Sequence, residues 1–370
     1  MKKIIIWIVV VVVAIWAIVA ITQNSSKNSI VTGKPIKIGA ILMLTGVGAN
    51  YGEHSLNGAN LAIEEINSKG GVLGRKIEIV AEDNRGDNPS TAISAFNKLT
   101  SEDINLMIGP NWQPSSTALA PLVCEKSVIM ISMSVGGSDF TKQCDFTFNT
   151  YPEQVRLSAS LGKYVVGQGY KKIGLIGSQQ SWEKEQFDAI KKSIEDNGGK
   201  IEIAEVVSGT ETDFRTLLVK MKKANIDALV LTNYTNEDIT VRQARDLGLK
   251  PQVFSVLIDD ATIKDAEGAL EGAIGGSYYM PTQKFVTDYT KRFDKTPDVS
   301  ADTSYDAVNL IVEAIKNTGK TDSESVKEYL KNKKIFEGAS GSGTFDEYGQ
   351  VVREPHYQKV VNGKIEELKK

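Results

Sequence analysis

The chain has 370 residues, a length that exceeds one ordinary hydrophobic core and predicts two domains or two lobes. Hydrophobic residues make up 41% and charged residues 24%, which is the balance of a folded globular protein and excludes a disordered or fibrous chain. The formal net charge of −3 argues against a nucleic-acid partner, which would require a basic surface.

The chain opens with a long apolar run. Residues 4–21 are uninterrupted apolar residues behind Lys2 and Lys3, long enough to cross the hydrocarbon layer as a helix. The positive flank predicts export of everything that follows. A retained membrane anchor and a signal peptide within residues 1–22 are both open interpretations. No cysteine follows the run, so no lipid anchor is expected there. Residues 23–34 are small and polar, as in a flexible tether.

Two cysteines are present, Cys124 and Cys144. An even pair in an exported chain predicts a disulfide. The alternative is two separate buried thiols, because free cysteine packs as a small hydrophobe.

Apolar periodicity then alternates between short runs typical of strands and a 3.6-residue period typical of helices. The first series has predicted strands at 36–44, 76–83, 105–110 and 128–132, separated by predicted helices at 55–69, 89–103 and 115–126. This alternation predicts a parallel sheet covered on both faces.

A second series repeats the pattern, with predicted strands at 171–178, 200–207, 227–233 and 252–257 and helices at 183–196, 213–224 and 236–247. Each series begins with KIG, a helix, a glycine pair and KIEI, and Gly70 and Gly198 are predicted helix stops. Two similar lobes follow from this repetition.

The chain continues beyond the second series. Predicted helices at 284–294, 301–317 and 323–332 are followed by a glycine-rich run at 338–350 and a strand pair that turns at Asn362-Gly363. Such additional elements predict that the chain crosses between the lobes more than once, which creates a hinge.

Catalytic signals are weak. His54 and His356 are far apart, lack a ligand cluster and are predicted at the surface, so neither a metal site nor a cofactor is expected. The loop at residues 45–52, TGVGANYG, resembles a dinucleotide fingerprint with one residue too many. Its helical pattern begins only near Ser55, which argues against a dehydrogenase. The chain is therefore predicted not to be an enzyme.

Binding signals lie after the predicted strands, because ligands of parallel sheets bind beyond the carboxyl ends of the strands. The loop GPNWQPSSTALAPL enters a helix through Ser115, Ser116 and Thr117, where free N–H groups and hydroxyls suit a carboxylate or another anion. Ordinary helix capping is the alternative.

Further candidates at strand ends are residues 134–137, Trp182 and Tyr234. Aromatic rings at such positions can form the wall of a pocket, although each could also serve packing alone.

Several segments resemble, in order and spacing, the solute-binding proteins of branched-chain amino-acid ABC transporters. They are ANYGEHSLNGANLAIEEINSKGGVLGRKIEIVAEDNRGD, LMIGPNWQPSSTALAPL, VIMIS, TDFRTLLVKMKKANIDALVL, VRQARDLGL and SYDAVNLIVEAI. The resemblance covers residues 35 to about 367.

The resemblance implies an α/β fold with two Rossmann-like lobes, parallel-sheet cores and a three-strand hinge. The implied N-terminal lobe is 35–152 plus 281–341, and the implied C-terminal lobe is 153–280 plus 342–367. The implied crossovers lie near residues 150–153, 280–283 and 341–345.

The resemblance also implies a ligand site between the lobes. Its implied residues are Tyr51, Trp112, Gln113, Ser115, Ser116, Ser134, Val135 and Gly136 from the first lobe and Trp182, Tyr234 and Asp259 from the second. Amino-acid binders of the family have a threonine where this chain has Gly136 and a glutamate where it has Leu257. Asp259 or Asp260 can replace that glutamate only if the loop is shifted, so the identity of the ligand is open.

The expected function is that of an extracytoplasmic solute-binding protein. It would capture an amino acid or related carboxylate between its lobes and deliver it to an ABC transporter permease. The expected location is the periplasm or the outer face of the cell membrane, with residues 4–21 as an anchor if they are not cleaved. The alternative is a sensory ectodomain that acts through a separate signalling partner.

Overall fold

The computed structural model describes residues 33–137 and 139–368. The predicted membrane span at residues 4–21 lies outside these residues. Within them, none of the helices combines the length and the apolar character that crossing a membrane requires.

The first lobe is built on a five-stranded sheet. Its elements in chain order are β1 (Ile36–Leu42), α1 (Ala49–Ser68), β2 (Ile77–Asp83), α2 (Pro89–Ser101), β3 (Leu106–Ile108), α3 (Gln113–Lys126), β4 (Ile129–Ser132), α4 (Asp139–Lys142) and β5 (Thr147–Asn149). The strand order is β2-β1-β3-β4-β5, and all neighbouring strands are parallel. Because β3 and β4 are buried along their whole length, helices must cover both faces, as predicted.

The second lobe repeats this arrangement. Its elements are α5 (Gln154–Gly167), β6 (Ile173–Ser178), α6 (Ser181–Asp196), β7 (Ile201–Val207), α7 (Arg215–Lys223), β8 (Ala228–Leu231), α8 (Glu237–Asp246), β9 (Gln252–Ser255), α9 (Asp260–Asp265), β10 (Ile274–Ser277), and, at the end of the chain, β14 (His356–Val361) and β15 (Lys364–Glu367). The strand order is β15-β14-β10-β9-β8-β6-β7. The strands from β10 to β7 are parallel, and β14 and β15 extend the sheet as an antiparallel pair.

Between β10 and β14 the chain returns to the first lobe. It forms α10 (Gln283–Phe293), α11 (Ala301–Thr318), α12 (Ser323–Asn332), β11 (Ile335–Gly338), β12 (Gly341–Phe345) and β13 (Val351–Val352), the three strands making a small antiparallel sheet. Helix α11 packs along α1 at Gly58, where an added Cβ would lie only 1.9 Å from the carbonyl oxygen of Ala301. The absence of a side chain at Gly58 therefore allows the close approach of the two helices.

Three connections join the lobes: β5 to α5, β10 to α10, and β13 to β14. The lobe boundaries expected at residues 341 and 342 stay a prediction. Phe345 and Val351 pack into the same hydrophobic core as the first sheet, and β14 pairs within the second sheet. On this packing we propose that the first lobe extends to Val352.

Hydrogen bonds tie the connections together. The Thr150 hydroxyl donates to the carbonyl oxygen of Thr303 at 2.9 Å. The guanidinium of Arg353 donates to both the carbonyl and the hydroxyl oxygen of Ser340, each at 2.5 Å. Asp306 accepts from the Ala339 and Ser340 N–H groups at 2.6 and 2.9 Å. The bonds of Arg353 and Asp306 involve ionisable groups, and all of these bonds connect the segments of the hinge region to one another.

The structure corrects two expectations. Helix α1 begins at Ala49 rather than near Ser55, because Gly52 packs against the backbone of Met43, where an added Cβ would lie 2.0 Å from the carbonyl oxygen. The predicted helix start near Ser55 was therefore wrong, and so was the argument about the loop at residues 45–52 that depended on it. His54 is buried rather than at the surface, and its Nδ1 lies 2.8 Å from the Tyr289 hydroxyl.

Other local expectations are confirmed. Gly70 and Gly198 have φ values of 96° and 79°, the left-handed conformation that stops a helix. The final strand pair turns at Asn362-Gly363, as predicted. The structure joins Cys124 to Cys144 in a disulfide with a Cα–Cα distance of 5.5 Å, linking the end of α3 to the segment after α4.

Candidate functional site

The candidate site lies in the cleft between the lobes, beyond the carboxyl ends of the parallel strands. In the first lobe, the segments after β1, β3 and β4 contain the predicted site residues. In the second lobe, the segments after β6, β8 and β9 contain the remaining ones. Both sheets therefore present their ligand-binding edge to one gap.

Four aromatic rings form a row across this cleft, which we call the aromatic row: Trp112, Tyr51, Tyr234 and Trp182. The rings of Trp112 and Tyr51 meet edge to face with centroids 5.5 Å apart, and those of Tyr234 and Trp182 do so at 6.2 Å. The Tyr51 and Tyr234 hydroxyls, which come from opposite lobes, lie close enough for each to affect the pKa of the other. The aromatic row therefore consists of two aromatic pairs, one from each lobe. The sequence alone could only place these residues after separate strands.

Asp259 is an acidic residue beside the aromatic row. Its carboxylate accepts a hydrogen bond from the Tyr234 hydroxyl at 2.5 Å. The other oxygen caps α9 by accepting from the N–H and the hydroxyl of Thr262 at 2.8 and 2.9 Å. Burial is the main cause that raises the pKa of Tyr234, and it also raises that of Tyr51, with Asp259 adding to both effects. Both phenols therefore stay protonated and can donate.

A second contact crosses the cleft between Gln113 and Glu185. The Gln113 side-chain amide donates to Glu185 at 3.1 Å, which joins the start of α3 to α6. The remaining oxygens, Oε1 of Gln113 and Oε2 of Glu185, are buried and have no hydrogen-bond partner. Burial raises the pKa of Glu185, and Gln113 partly offsets this effect.

Gly136 lies at a close approach between the two lobes. An added Cβ would lie 2.6 Å from Cγ of Gln154 and 3.0 Å from the indole nitrogen of Trp182 in the other lobe. The Gln154 amide donates to the Tyr151 hydroxyl at 2.6 Å, and its buried Oε1 has no partner. The space that a threonine would fill at this position is therefore occupied by side chains of the protein itself.

The predicted serines are engaged elsewhere. The Ser115 N–H donates to Asp87 at 3.4 Å, and its hydroxyl accepts from Asn84 at 3.2 Å, so both groups belong to a buried network. The Ser116 hydroxyl donates to the carbonyl oxygen of Gln113 at 2.9 Å. The expected anion contact of Ser115 and Ser116 stays a prediction that this geometry does not support.

Ser134 and Val135 support the cleft wall. The Ser134 hydroxyl donates to the carbonyl oxygen of Asn111 at 2.9 Å, and the Val135 carbonyl accepts from Asn149 at 2.6 Å. Asn111 is fully buried and also binds the Ser55 hydroxyl at 2.8 Å. These contacts fix the loops after β3 and β4 relative to α1.

Sequence reasoning missed Gln154, Glu185 and Asn111 as parts of this region. Glu185 lies one helical turn after Trp182, so the helical period could have placed it on the same face of α6. Gln154 and Asn111 carry no comparable signal, because their positions depend on how the lobes and loops pack.

Two buried carboxyl groups, those of Glu183 and Glu237, lie behind the second-lobe side of the cleft. Glu183 accepts hydrogen bonds from the Thr235 N–H and hydroxyl at 2.8 and 2.6 Å and from the Ser178 hydroxyl. Glu237 accepts from the Ser255 hydroxyl at 2.7 Å, and its Oε1 has no partner. Burial raises the pKa of Glu237 to about 8. In residues 33–137 and 139–368, no group of three or more His, Cys, Asp or Glu side chains has the geometry to hold a metal ion.

The fold and the cleft define a class: a two-lobed α/β binding protein whose ligand site lies between the lobes. The family model described as periplasmic binding protein matches residues 35–364, nearly the whole described chain. The chain belongs to this family, and branched-chain amino-acid binding proteins are among the family members that it resembles.

Three relatives illustrate the similarity. The chain is 27% identical to the leucine-, isoleucine-, valine-, threonine- and alanine-binding protein of Pseudomonas aeruginosa, over 85% of this chain and 87% of that one. It superimposes with a TM-score of 0.79 and 28% identity on LivJ of Streptococcus pneumoniae in complex with isoleucine, covering 90% of this chain and 98% of that one. A solute binding protein from Rhodopseudomonas palustris in complex with 3,4-dihydroxybenzoic acid gives 0.78 and 25%, with coverage of 90% and 95%.

Proposed function

We propose that this protein is the extracytoplasmic receptor of an ABC importer, which captures a small solute between its lobes and presents the closed form to a membrane permease. The observation that carries the proposal is the pair of contacts that cross the cleft, Gln113 with Glu185 and Tyr51 with Tyr234. The names of the relatives support transport and do not favour the sensory alternative.

The mechanism follows from two-state linkage. A ligand that contacts both lobes stabilises the closed arrangement, whereas a ligand that contacts one lobe equally well in both states shifts nothing. The three connections near Thr150, Tyr279 and Arg353 are the elements that change conformation, and the cleft side chains move with their lobes as rigid bodies.

The identity of the ligand can be approached directly. Native mass spectrometry of the freshly purified protein should detect a co-purified small molecule, and small-angle scattering should show a smaller radius of gyration when it is added back. A ligand that binds without any compaction would contradict the two-state mechanism.

A matched pair of glycine variants tests where closure happens. Gly136→Ala places a methyl group against Gln154 and Trp182, so it should keep the lobes apart and weaken ligand binding by at least 10-fold. Gly167→Ala at the end of α5 meets nothing within 4 Å and should bind as the wild type does. Equal affinity of the two variants would show that the lobes do not close at Gly136.

A further inference from the structure

The charged groups that face the aromatic row are carboxylates. Asp259 bonds to Tyr234, and the negative charges of Asp259 and Asp298 both act on Tyr51. Glu185 lies one turn from Trp182 on α6. Among the described residues, no Lys or Arg forms a hydrogen bond or an ion pair with the side chains of the aromatic row, Asp259 or Glu185. In the part of the chain that the structure describes, Asp259 and Glu185 therefore have no direct basic partner, and the charge beside the aromatic row is negative.

The polar atoms left over in the same region are acceptors. Three buried oxygens lack a donor: Oε1 of Gln113, Oε1 of Gln154 and Oε2 of Glu185. The amide orientations are set by the bonds that the two nitrogens make to Glu185 and Tyr151. Gln154 is only 4% exposed, so water outside the cleft cannot serve its oxygen. N–H donors of a ligand that reached these oxygens would satisfy them.

Donors for a ligand carboxylate are correspondingly scarce at the start of α3. The Ser115 N–H is directed to Asp87, and Pro114 has no N–H to offer. Gly136 provides no hydroxyl, and its carbonyl oxygen accepts from the Gln154 N–H at 2.9 Å. An anionic ligand would therefore find few hydrogen-bond donors at the start of α3.

We propose that the cleft selects a cationic amine. Its ammonium group lies against the aromatic row beside Asp259, and its further N–H groups donate to the side-chain oxygens of Gln113, Gln154 and Glu185. Aromatic faces attract cations through their quadrupole, and the effect grows when water is excluded. A carboxylate as the counter-charge adds a charge-assisted hydrogen bond. This inference rests on the proposed function, because it names the chemical class of the solute that the same cleft takes.

Paired probes of the same carbon skeleton test it. Isothermal titration calorimetry is carried out on the full-length protein, with leucinamide against 4-methylpentanoate and with benzylamine against benzoate. The amine of each pair should bind at least 10-fold more tightly than the carboxylate, which should show no measurable binding. Detectable binding of either carboxylate, or no binding of either amine, would overturn the inference.

Three variants connect the selectivity to the named residues. Asp259→Asn retains an N-cap for α9 and Glu185→Gln retains an acceptor for Gln113, so both should fold and lose at least 10-fold in amine affinity. Asp188→Asn removes an exposed carboxylate from the same helix as Glu185 and should bind like the wild type. Amine affinity unchanged in both cleft variants would also refute the assignment.

The outcomes separate this inference from the proposed function. A carboxylate that binds and compacts the protein in scattering would support a solute receptor while refuting amine selectivity. A protein that carries no co-purified molecule and does not compact with any of the four probes would count against both.

Discussion

The burial of Glu237 in the second lobe predicts how the stability of the protein depends on pH. Its side chain is fully buried at the start of α8, with one oxygen bonded to Ser255 and the other without a partner. Burial, with smaller contributions from Asp259 and Glu183, raises its pKa from 4.5 to about 8. The folded protein therefore holds a proton on Glu237 at pH values where the unfolded chain has released it.

The sign of the pH dependence follows from this difference. Between about pH 4.5 and pH 8 the folded state binds more protons than the unfolded state, so the free energy of unfolding falls as the pH rises. One pKa unit corresponds to about 1.4 kcal/mol, which gives roughly 3 kcal/mol lost between pH 5 and pH 8. Glu237→Gln cannot ionise and should be spared this loss.

Urea unfolding followed by tryptophan fluorescence at pH 5, 6.5 and 8 measures the effect. The variant should gain roughly 3 kcal/mol relative to wild type across this range, while other titrating groups, present in both proteins, cancel in the difference. Glu205→Gln, which removes one exposed negative charge from β7, is the control and should show no such trend. A stability difference between Glu237→Gln and wild type that does not change with pH would refute the reasoning.

Three further variants test the hinge, the disulfide and the helix contact. Arg353→Ala removes the two hydrogen bonds that the guanidinium donates to Ser340 and should lower the free energy of unfolding by roughly 1.5–3 kcal/mol in urea, whereas a change below 1 kcal/mol would contradict the hinge assignment. Replacing both Cys124 and Cys144 with serine should cost about 3 kcal/mol, since the bridge closes a loop of 20 residues, and dithiothreitol should destabilise the wild type but not the variant. Gly58→Ala forces a methyl group against the Ala301 carbonyl and should lower the melting temperature far more than Gly167→Ala, with equal melting temperatures as the contrary result.

The aromatic row shows where function and stability meet. Tyr51 and Trp112 belong to one lobe and Tyr234 and Trp182 to the other, so each pair keeps its own geometry when the lobes separate. Opening separates Tyr51 from Tyr234 and breaks the hydrogen bond between Gln113 and Glu185. A ligand that enters the cleft can replace these few contacts and recover their free energy through contacts with both lobes.

Local sequence patterns are enough to predict the two lobes and most of their strands. Apolar runs separated by amphipathic helices define parallel βαβ units, because the period of side-chain burial is a local property. Gly70 and Gly198 marked helix ends because the left-handed conformation there favours glycine. The short strands β5 and β10 and the small sheet β11 to β13 were not predicted, since two to five residues carry too little periodicity.

Which side chains meet across the cleft depends instead on how the two lobes pack in three dimensions. The family resemblance placed Tyr51, Gln113 and Tyr234 at the site, but Ser115 carries the same kind of signal and is committed to a buried network. Gln154 completes the cleft with no sequence signal at all. The reason is physical: burial, charge and hydrogen-bond partners at an interface between lobes depend on distances between residues far apart in the chain, which no local pattern encodes.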